Sequence, residues 1–151
     1  MIKGKIISFL NMKGGVGKTT LCKEVGFHLA KKRGYKVLFI DVDPQINLTQ
    51  SLFKRYNFYQ AKQISVHEDK ETEQGETKKI SQASIQTILS HSSIAPPTYT
   101  QGIQKLDDDI SIIPGELGLE FSLRNLNSAT LENGIHKFID DNRLRNKFHF
   151  D

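Results

Sequence analysis

The densest chemistry in the chain lies in one run, Asn11-Met12-Lys13-Gly14-Gly15-Val16-Gly17-Lys18-Thr19-Thr20. It follows an apolar stretch, Ile6-Ile7-Ser8-Phe9-Leu10, and opens a segment of helical periodicity. A strand, a glycine-rich turn and a helix N-terminus in that order make an anion site. The amides of the turn point inward and the helix dipole adds partial positive charge. Gly14, Gly15 and Gly17 let the backbone curl around a phosphate without a Cβ in the way. Lys18 is placed to reach β- and γ-phosphates, and the Thr19 hydroxyl to ligand Mg²⁺.

A second constellation follows one helix later, in Lys36-Val37-Leu38-Phe39-Ile40-Asp41-Val42-Asp43-Pro44-Gln45-Ile46-Asn47-Leu48-Thr49. Val37 to Ile40 is a continuous apolar run, as expected of a strand buried on both faces of a parallel sheet. Asp41 and Asp43 stand at its C-terminal end, the edge where open α/β sheets bind ligands. Being two apart, both side chains lean to one face while the strand persists. Two carboxylates beside a nucleotide can hold Mg²⁺ through water and orient an attacking water.

The strict P-loop pattern needs glycine five positions before Gly17, where this chain has Met12, and a second lysine, Lys13, precedes the glycine pair instead. A dinucleotide loop fits less well, because Thr20 occupies the last glycine position of that pattern. From Lys13 to Thr20 the run resembles the deviant Walker A loop of the ParA/MinD ATPase superfamily. The string Asp41-x-Asp43-Pro44-Gln45-x-Asn47-x-Thr49 is similar to the switch I region of the chromosome and plasmid partition ATPases. The resemblance implies a doubly wound α/β P-loop fold with a mainly parallel sheet, and ATP and Mg²⁺ as ligands. It implies nucleotide contacts from Lys13, Gly14, Gly15, Val16, Gly17, Lys18, Thr19 and Thr20. Thr19 would ligate the metal, Asp43 would reach it through water, and Asp41 would stand behind them. Lys13 would cross a nucleotide-sandwiched homodimer to the partner's nucleotide, and Asp43 would be needed for hydrolysis. Family partners would be a ParB-type centromere-binding protein and non-specific DNA.

The elements that must position these residues can be read as well. Residues 19–33 fit a crossover helix with Leu21, Cys22, Val25, Gly26, Leu29 and Ala30 on one stripe and Gly34 just past its end. Residues 48–59 read as a short helix with Leu48, Leu52, Phe53 and Tyr56 inward. Residues 60–79 read as a flexible charged insertion, since nothing apolar lies between His67 and Lys79. Ile80, Ile85, Ile88 and Leu89 suggest a helix starting near Ser81 or Ser84, and Pro96-Pro97 excludes regular structure. Residues 109–115 predict a short strand ended by Pro114-Gly115. Helices are expected over 117–125 and 130–144, the latter with Leu131, Ile135, Phe138 and Ile139 inward.

Phe150-Asp151 matches the pair that leads into the family's Walker B strand. Residues 1–151 thus correspond to a partial domain, about the first half, cut before that strand. The first strand would then carry a bare edge. Two other readings stay open: a nucleotide-binding fragment without turnover, and a relative with another cargo.

Composition sets bounds. With 37 % hydrophobic and 25 % charged residues the chain is an ordinary globular one. Its net charge of +4 is too small to argue for nucleic acid. A single cysteine, Cys22, excludes an internal disulfide and suits a reducing compartment. No run is long enough to span a membrane and no signal peptide precedes the glycines, which points to the cytoplasm. The five histidines show no metal spacing, and His136 and His149 read as surface residues.

Overall fold

The computed structural model describes residues 4–61, 79–90, 97–117, 119 and 128–148. Helix α1 spans Lys18–Arg33 and ends on Gly34, whose φ of 72° provides the left-handed cap expected there. Strand β1 (Val37–Ile40) follows, then α2 (Asn47–Tyr56). Two short strands, β2 (Phe58–Gln60) and β3 (Lys79–Ser81), pair in parallel with each other. After them come α3 (Ile85–Ser90), α4 (Tyr99–Gly102), β4 (Gln104–Lys105) and β5 (Ile110–Ile113). Helices α5 (Ser128–Asp141) and α6 (Leu144–Lys147) follow.

The main sheet runs β1–β5–β4. β1 and β5 are parallel, with Val37 opposite Ile110 and Ile40 opposite Ile113, while β4 joins antiparallel. Alternation along the strands splits the apolar residues between two layers. Phe39, Ile110 and Ile112 pack with Ala30 of α1 and with Leu48, Leu52 and Phe53 of α2. Ile113 packs on the opposite side with Ile85, Ile88 and Leu89 of α3 and Phe138 and Ile139 of α5, with Leu38 and Ile40 against that cluster. Helices therefore cover both faces, the doubly wound α/β arrangement, and the apolar runs of β1 and β5 follow from burial on two sides. Gly26 makes the close approach of α1 to β1 possible: a Cβ there would collide with the Phe39 ring.

Several sequence expectations need correction. Residues 6–10 form no strand. Residues 5–10 join no ladder and make no backbone hydrogen bond among the described residues. No strand lies beside them among the described residues, and Ile6, Ile7 and Leu10 are 58 %, 59 % and 85 % exposed. Leu21 faces outward, so the inner stripe of α1 runs through Cys22, Gly26 and Ala30. α2 stops at Tyr56 because Asn57 turns left-handed, with φ 58°, and Phe58 and Tyr59 enter β2 instead. Gln60 and Lys79, the ends of the expected insertion, are strand residues; residues 62–78 lie outside the described residues. Ile80 belongs to β3, while the helix begins at Ile85, in line with the expected start near Ser84. The helix expected over 130–144 is α5 and α6, interrupted where Arg143 turns left-handed with φ 50°. Most of 117–125, Pro96, His149, Phe150-Asp151 and the Leu131 side chain lie outside the described residues. Among those described, no helix is long and apolar enough to cross a membrane.

Candidate functional site

The turn before α1 has the properties of an anion cradle. Gly15 and Gly17 hold φ of 73° and 84°, conformations that side chains disfavour. Gly17 is the N-cap of α1, and no side chain caps the helix. The amides of residues 14–20 find no acceptor among the described residues. They are the orphan donors of a helix N-terminus joined to those of a tight turn. A Cβ at Gly14, Gly15 or Gly17 would meet nothing within 4 Å, so the space above the turn is open. Positive φ dictates glycine at 15 and 17; at Gly14 only an occupant of that space would.

The side chains around the turn are arranged accordingly. Lys18 Nζ donates to the Lys13 carbonyl at 3.2 Å, folding back across the loop. Asn11 Oδ1 accepts from the Lys13 amide at 2.9 Å. Lys13 and Val16 are exposed at the loop tip, as is Thr20 on the first turn of α1. Lys18 and Thr19 line a cleft of about 400 Å³ together with Cys22, Asp41 and Asp43. The structure thus joins the two constellations read from the sequence in one cavity. Lys13, Gly14, Gly15, Val16, Gly17 and Thr20 lie outside its lining.

Asp41 sits at the end of β1 and is 3 % exposed. Its Oδ2 accepts from the Thr49 hydroxyl at 2.6 Å and the Thr49 amide at 2.9 Å. Its Oδ1 accepts from the Asp43 amide at 3.2 Å. Burial pushes the Asp41 carboxyl above the usual carboxylate range, against the hydrogen bonds from Thr49 and Asp43 that favour the charge. The Thr49 hydroxyl in turn accepts from the Gly115 amide at 2.9 Å. Burial, and then the Asp41 charge, raise the Cys22 thiol. Asp43 is half-buried, and its Oδ1 accepts from the Gln45 amide at 2.9 Å in an Asx turn.

Thr49 belongs to the matched string Asp41-x-Asp43-Pro44-Gln45-x-Asn47-x-Thr49 and lies in α2. Its hydroxyl links Asp41 to the end of β5, a role that only the spacing of an acid and a threonine across the β1–α2 turn could have hinted at. Gln45 and Asn47 contact each other, Nδ2 to Oε1, at 3.1 Å on the surface. No three His, Cys, Asp or Glu residues cluster to hold a metal among the described residues, and His136 is exposed as expected. The donors available to a magnesium ion carried on phosphates are the Thr19 hydroxyl and an Asp43 oxygen. That sparse oxygen set fits an ion that keeps most of its water.

An α/β sheet whose central pair is parallel, an amide-lined loop at a helix N-terminus, and a lysine, a threonine and an aspartate meeting in one cleft define a P-loop nucleotide-binding protein. The AAA_31 family model, an AAA domain, matches residues 4–137. The chain belongs to that family and to its ParA-type P-loop ATPases. An uncharacterized protein of Methanocaldococcus jannaschii is 30 % identical over 149 residues, 90 % of this chain and 49 % of that protein. A virulence plasmid ParA family protein of Chlamydia psittaci is 32 % identical over 117 residues, 76 % of this chain and 42 % of its own. A putative plasmid partition protein of Borrelia burgdorferi, solved with AMPPNP, has the same fold with a TM-score of 0.61. It is 23 % identical, across 89 % of this chain and 48 % of that one. The chain spans about half the length of these relatives.

Proposed function

We propose that this chain is the phosphate-binding half of a partition-type ATPase of the cytoplasm, built to bind ATP with Mg²⁺ and, once completed, to hydrolyse it. The observation that carries the reading is the set of unpartnered amides over residues 14–20, facing open space beside Lys18 and Thr19. Gly14, Gly15, Val16 and Gly17 offer backbone donors to phosphate oxygens. Lys18 releases the Lys13 carbonyl and turns its ammonium to the β- and γ-phosphates. Thr19 and Asp43, the latter through water, would hold a magnesium ion, and Asp41 fixes the turn that carries Asp43. When bound, that ion would supply positive charge to offset the phosphate oxygens. Asp43 orients the attacking water. Lys13 lies at the exposed tip and suits the nucleotide of a facing copy, the homodimer of the family. A ParB-type protein and non-specific DNA are partners of the completed protein in the same reading, and plasmid or chromosome segregation its cargo.

Titration calorimetry with ATP and Mg²⁺ tests the reading, paired with amide shifts on labelled protein. Shifts centred on residues 14–20, and an affinity at least about tenfold weaker in Lys18→Ala, are expected. Unchanged affinity in Lys18→Ala, or shifts confined to residues far from the loop, overturn it.

A further inference from the structure

The turn that carries Asp43 is strained. Ile46 holds a φ of 49°, a left-handed conformation that a β-branched side chain disfavours. Its amide donates to the Asp43 carbonyl at 2.9 Å, so the shape of Ile46 and the placement of Asp43 are set together. Such a conformation persists only where its surroundings impose it. The Ile46 side chain is fully buried, and it packs against Gly115: a Cβ at Gly115 would come within 2.8 Å of Ile46 Cγ2. Glycine at 115 leaves the space that Ile46 fills.

Gly115 is itself gripped by both of its polar groups. Its amide donates to the Thr49 hydroxyl at 2.9 Å, and its carbonyl accepts from Gln60 Nε2 at 2.5 Å. The residues beside it are tied as well: the Pro114 carbonyl accepts from the Ile85 amide at 2.8 Å, and the Glu116 carboxylate from the Ser84 hydroxyl. Of these partners Gln60 alone comes from outside the main sheet and its helices. Strand alternation and pairing with β3 turn Gln60 and Ser81 inward and leave Tyr59 and Ile80 outward. Gln60 is 7 % exposed, so its amide has little water to turn to, and the Gly115 carbonyl is the acceptor it has.

We propose that Gln60 is a positioning residue for Asp43. By holding the Gly115 carbonyl it keeps Gly115 against Ile46, and Ile46 keeps the turn that presents Asp43 to the cleft. The hold on the turn rests on these contacts; its use in placing Asp43 against Mg²⁺ and phosphates rests on the nucleotide reading. Without the Gln60 donor the peptide after Gly115 is free to rotate, Ile46 gains room, and its φ relaxes away from the left-handed region. The Asp43 carbonyl then loses the Ile46 amide, and the side chain moves with it. Lys18, Thr19 and the glycine turn share none of these contacts, so phosphate binding by the loop is left alone.

Gln60→Met keeps the length of the side chain and removes the donor. Residue-resolved hydrogen exchange on chain 1–151, without nucleotide, is the first readout. The amides of Gly115, Ile46 and Asp43 are expected to exchange at least about tenfold faster in the variant, while Val37, bonded to Asp109 at the far end of β1, does not change. Gln60→Asn keeps the amide but falls one methylene short, and should give the same pattern should Gln60→Met not fold. The second readout is calorimetry with ATP, once with Mg²⁺ and once with EDTA. The tightening that Mg²⁺ brings in the parent should shrink at least about threefold in Gln60→Met, with the affinity in EDTA unchanged. Faster exchange at Val37 to the same degree as at Asp43 marks a general loss of stability and overturns the proposal. Unchanged exchange at Ile46 and Asp43, or an undiminished Mg²⁺ effect, overturns it equally. A parent chain that binds no ATP overturns the nucleotide reading, and selective exchange in Gln60→Met then still supports the hold on the turn.

Discussion

Replacing Thr49 by valine tests the hub that fixes Asp43. The swap keeps the shape and removes one hydroxyl that serves two buried groups. It donates to Asp41 Oδ2 at 2.6 Å and accepts from the Gly115 amide at 2.9 Å. A hydrogen bond to a charged group contributes roughly 1.5–3 kcal/mol, and a buried donor left unpaired costs roughly 1–3 kcal/mol. Gly115 lies so close to Ile46 and Asp41 that a Cβ there would collide with Ile46, so its surroundings are tightly packed. Thr49→Val should therefore lose about 3–5 kcal/mol in urea unfolding, a drop in Tm on the order of 10 °C. Thr49→Ser keeps the hydroxyl and should lose only about 1 kcal/mol for the missing methyl. The pH dependence supplies a second readout. Asp41 is held above its ordinary value, so its favourable contribution is complete below the unfolded carboxylate range and is lost as pH rises through the folded value. With one stabilising donor gone, that loss should extend to higher pH in the valine variant. A loss under about 1 kcal/mol in Thr49→Val, or one equal to that of Thr49→Ser, refutes the hub.

The other expectations are briefer. Asp107 is partly buried, which opposes its charge, but hydrogen bonds from Lys31, Tyr56 and the Asp109 and Ile110 amides prevail and bring it from 3.8 to about 2. Its stabilisation, about 2 kcal/mol, is present above the unfolded value and is lost as pH falls through 2. The stability gap between the parent and Asp107→Asn should therefore close in acid, and a gap that persists at pH 2 counts against the ion pair. Chain 1–151 alone should release phosphate from ATP no faster than its Lys18→Ala variant; steady release abolished by that substitution contradicts this. In a chain extended to the relatives' full length, Lys13→Ala should keep ATP affinity and lose ATP-dependent dimerisation, measured by sedimentation. A Lys13→Ala variant that dimerises like its parent removes the cross-dimer role.

What was legible in the sequence is what local chemistry alone imposes. Gly15, Gly17 and Gly34 sit where φ is positive, β1 and β5 are apolar because both faces are covered, and Lys18 and Thr19 open a helix because a tight turn delivers them there. The illegible parts depend on partners distant in sequence. Phe58 and Tyr59 continue the apolar pattern of α2, and only pairing with residues 79–81 makes them a strand. β4 is two polar residues long and is defined by its neighbour β5. Leu21 fits the helical stripe on paper, but the surface above it is open. Residues 6–10 have the composition of a strand, and composition makes no ladder without a neighbour.

That last absence explains why the two halves of the site are unequally fixed. Asp43 is tied through its amide to Asp41, through Asp41 to Thr49, and through Thr49 to Gly115 at the end of β5. It therefore moves with the sheet. Lys18 and Thr19 ride on α1, which meets the sheet beneath, at the close approach of Gly26 to Phe39, and is pinned at its far end by Lys31 to Asp107 and Asp109. Among the described residues, no strand beside β1 ties the segment that enters the phosphate loop to the strand that ends at Asp41. Positioning to within about 0.5 Å is what separates a phosphoryl-transfer site from a phosphate-binding loop. In the proposed reaction, phosphate binding would use the loop and α1, whereas turnover would also need Asp43 held against the same phosphates.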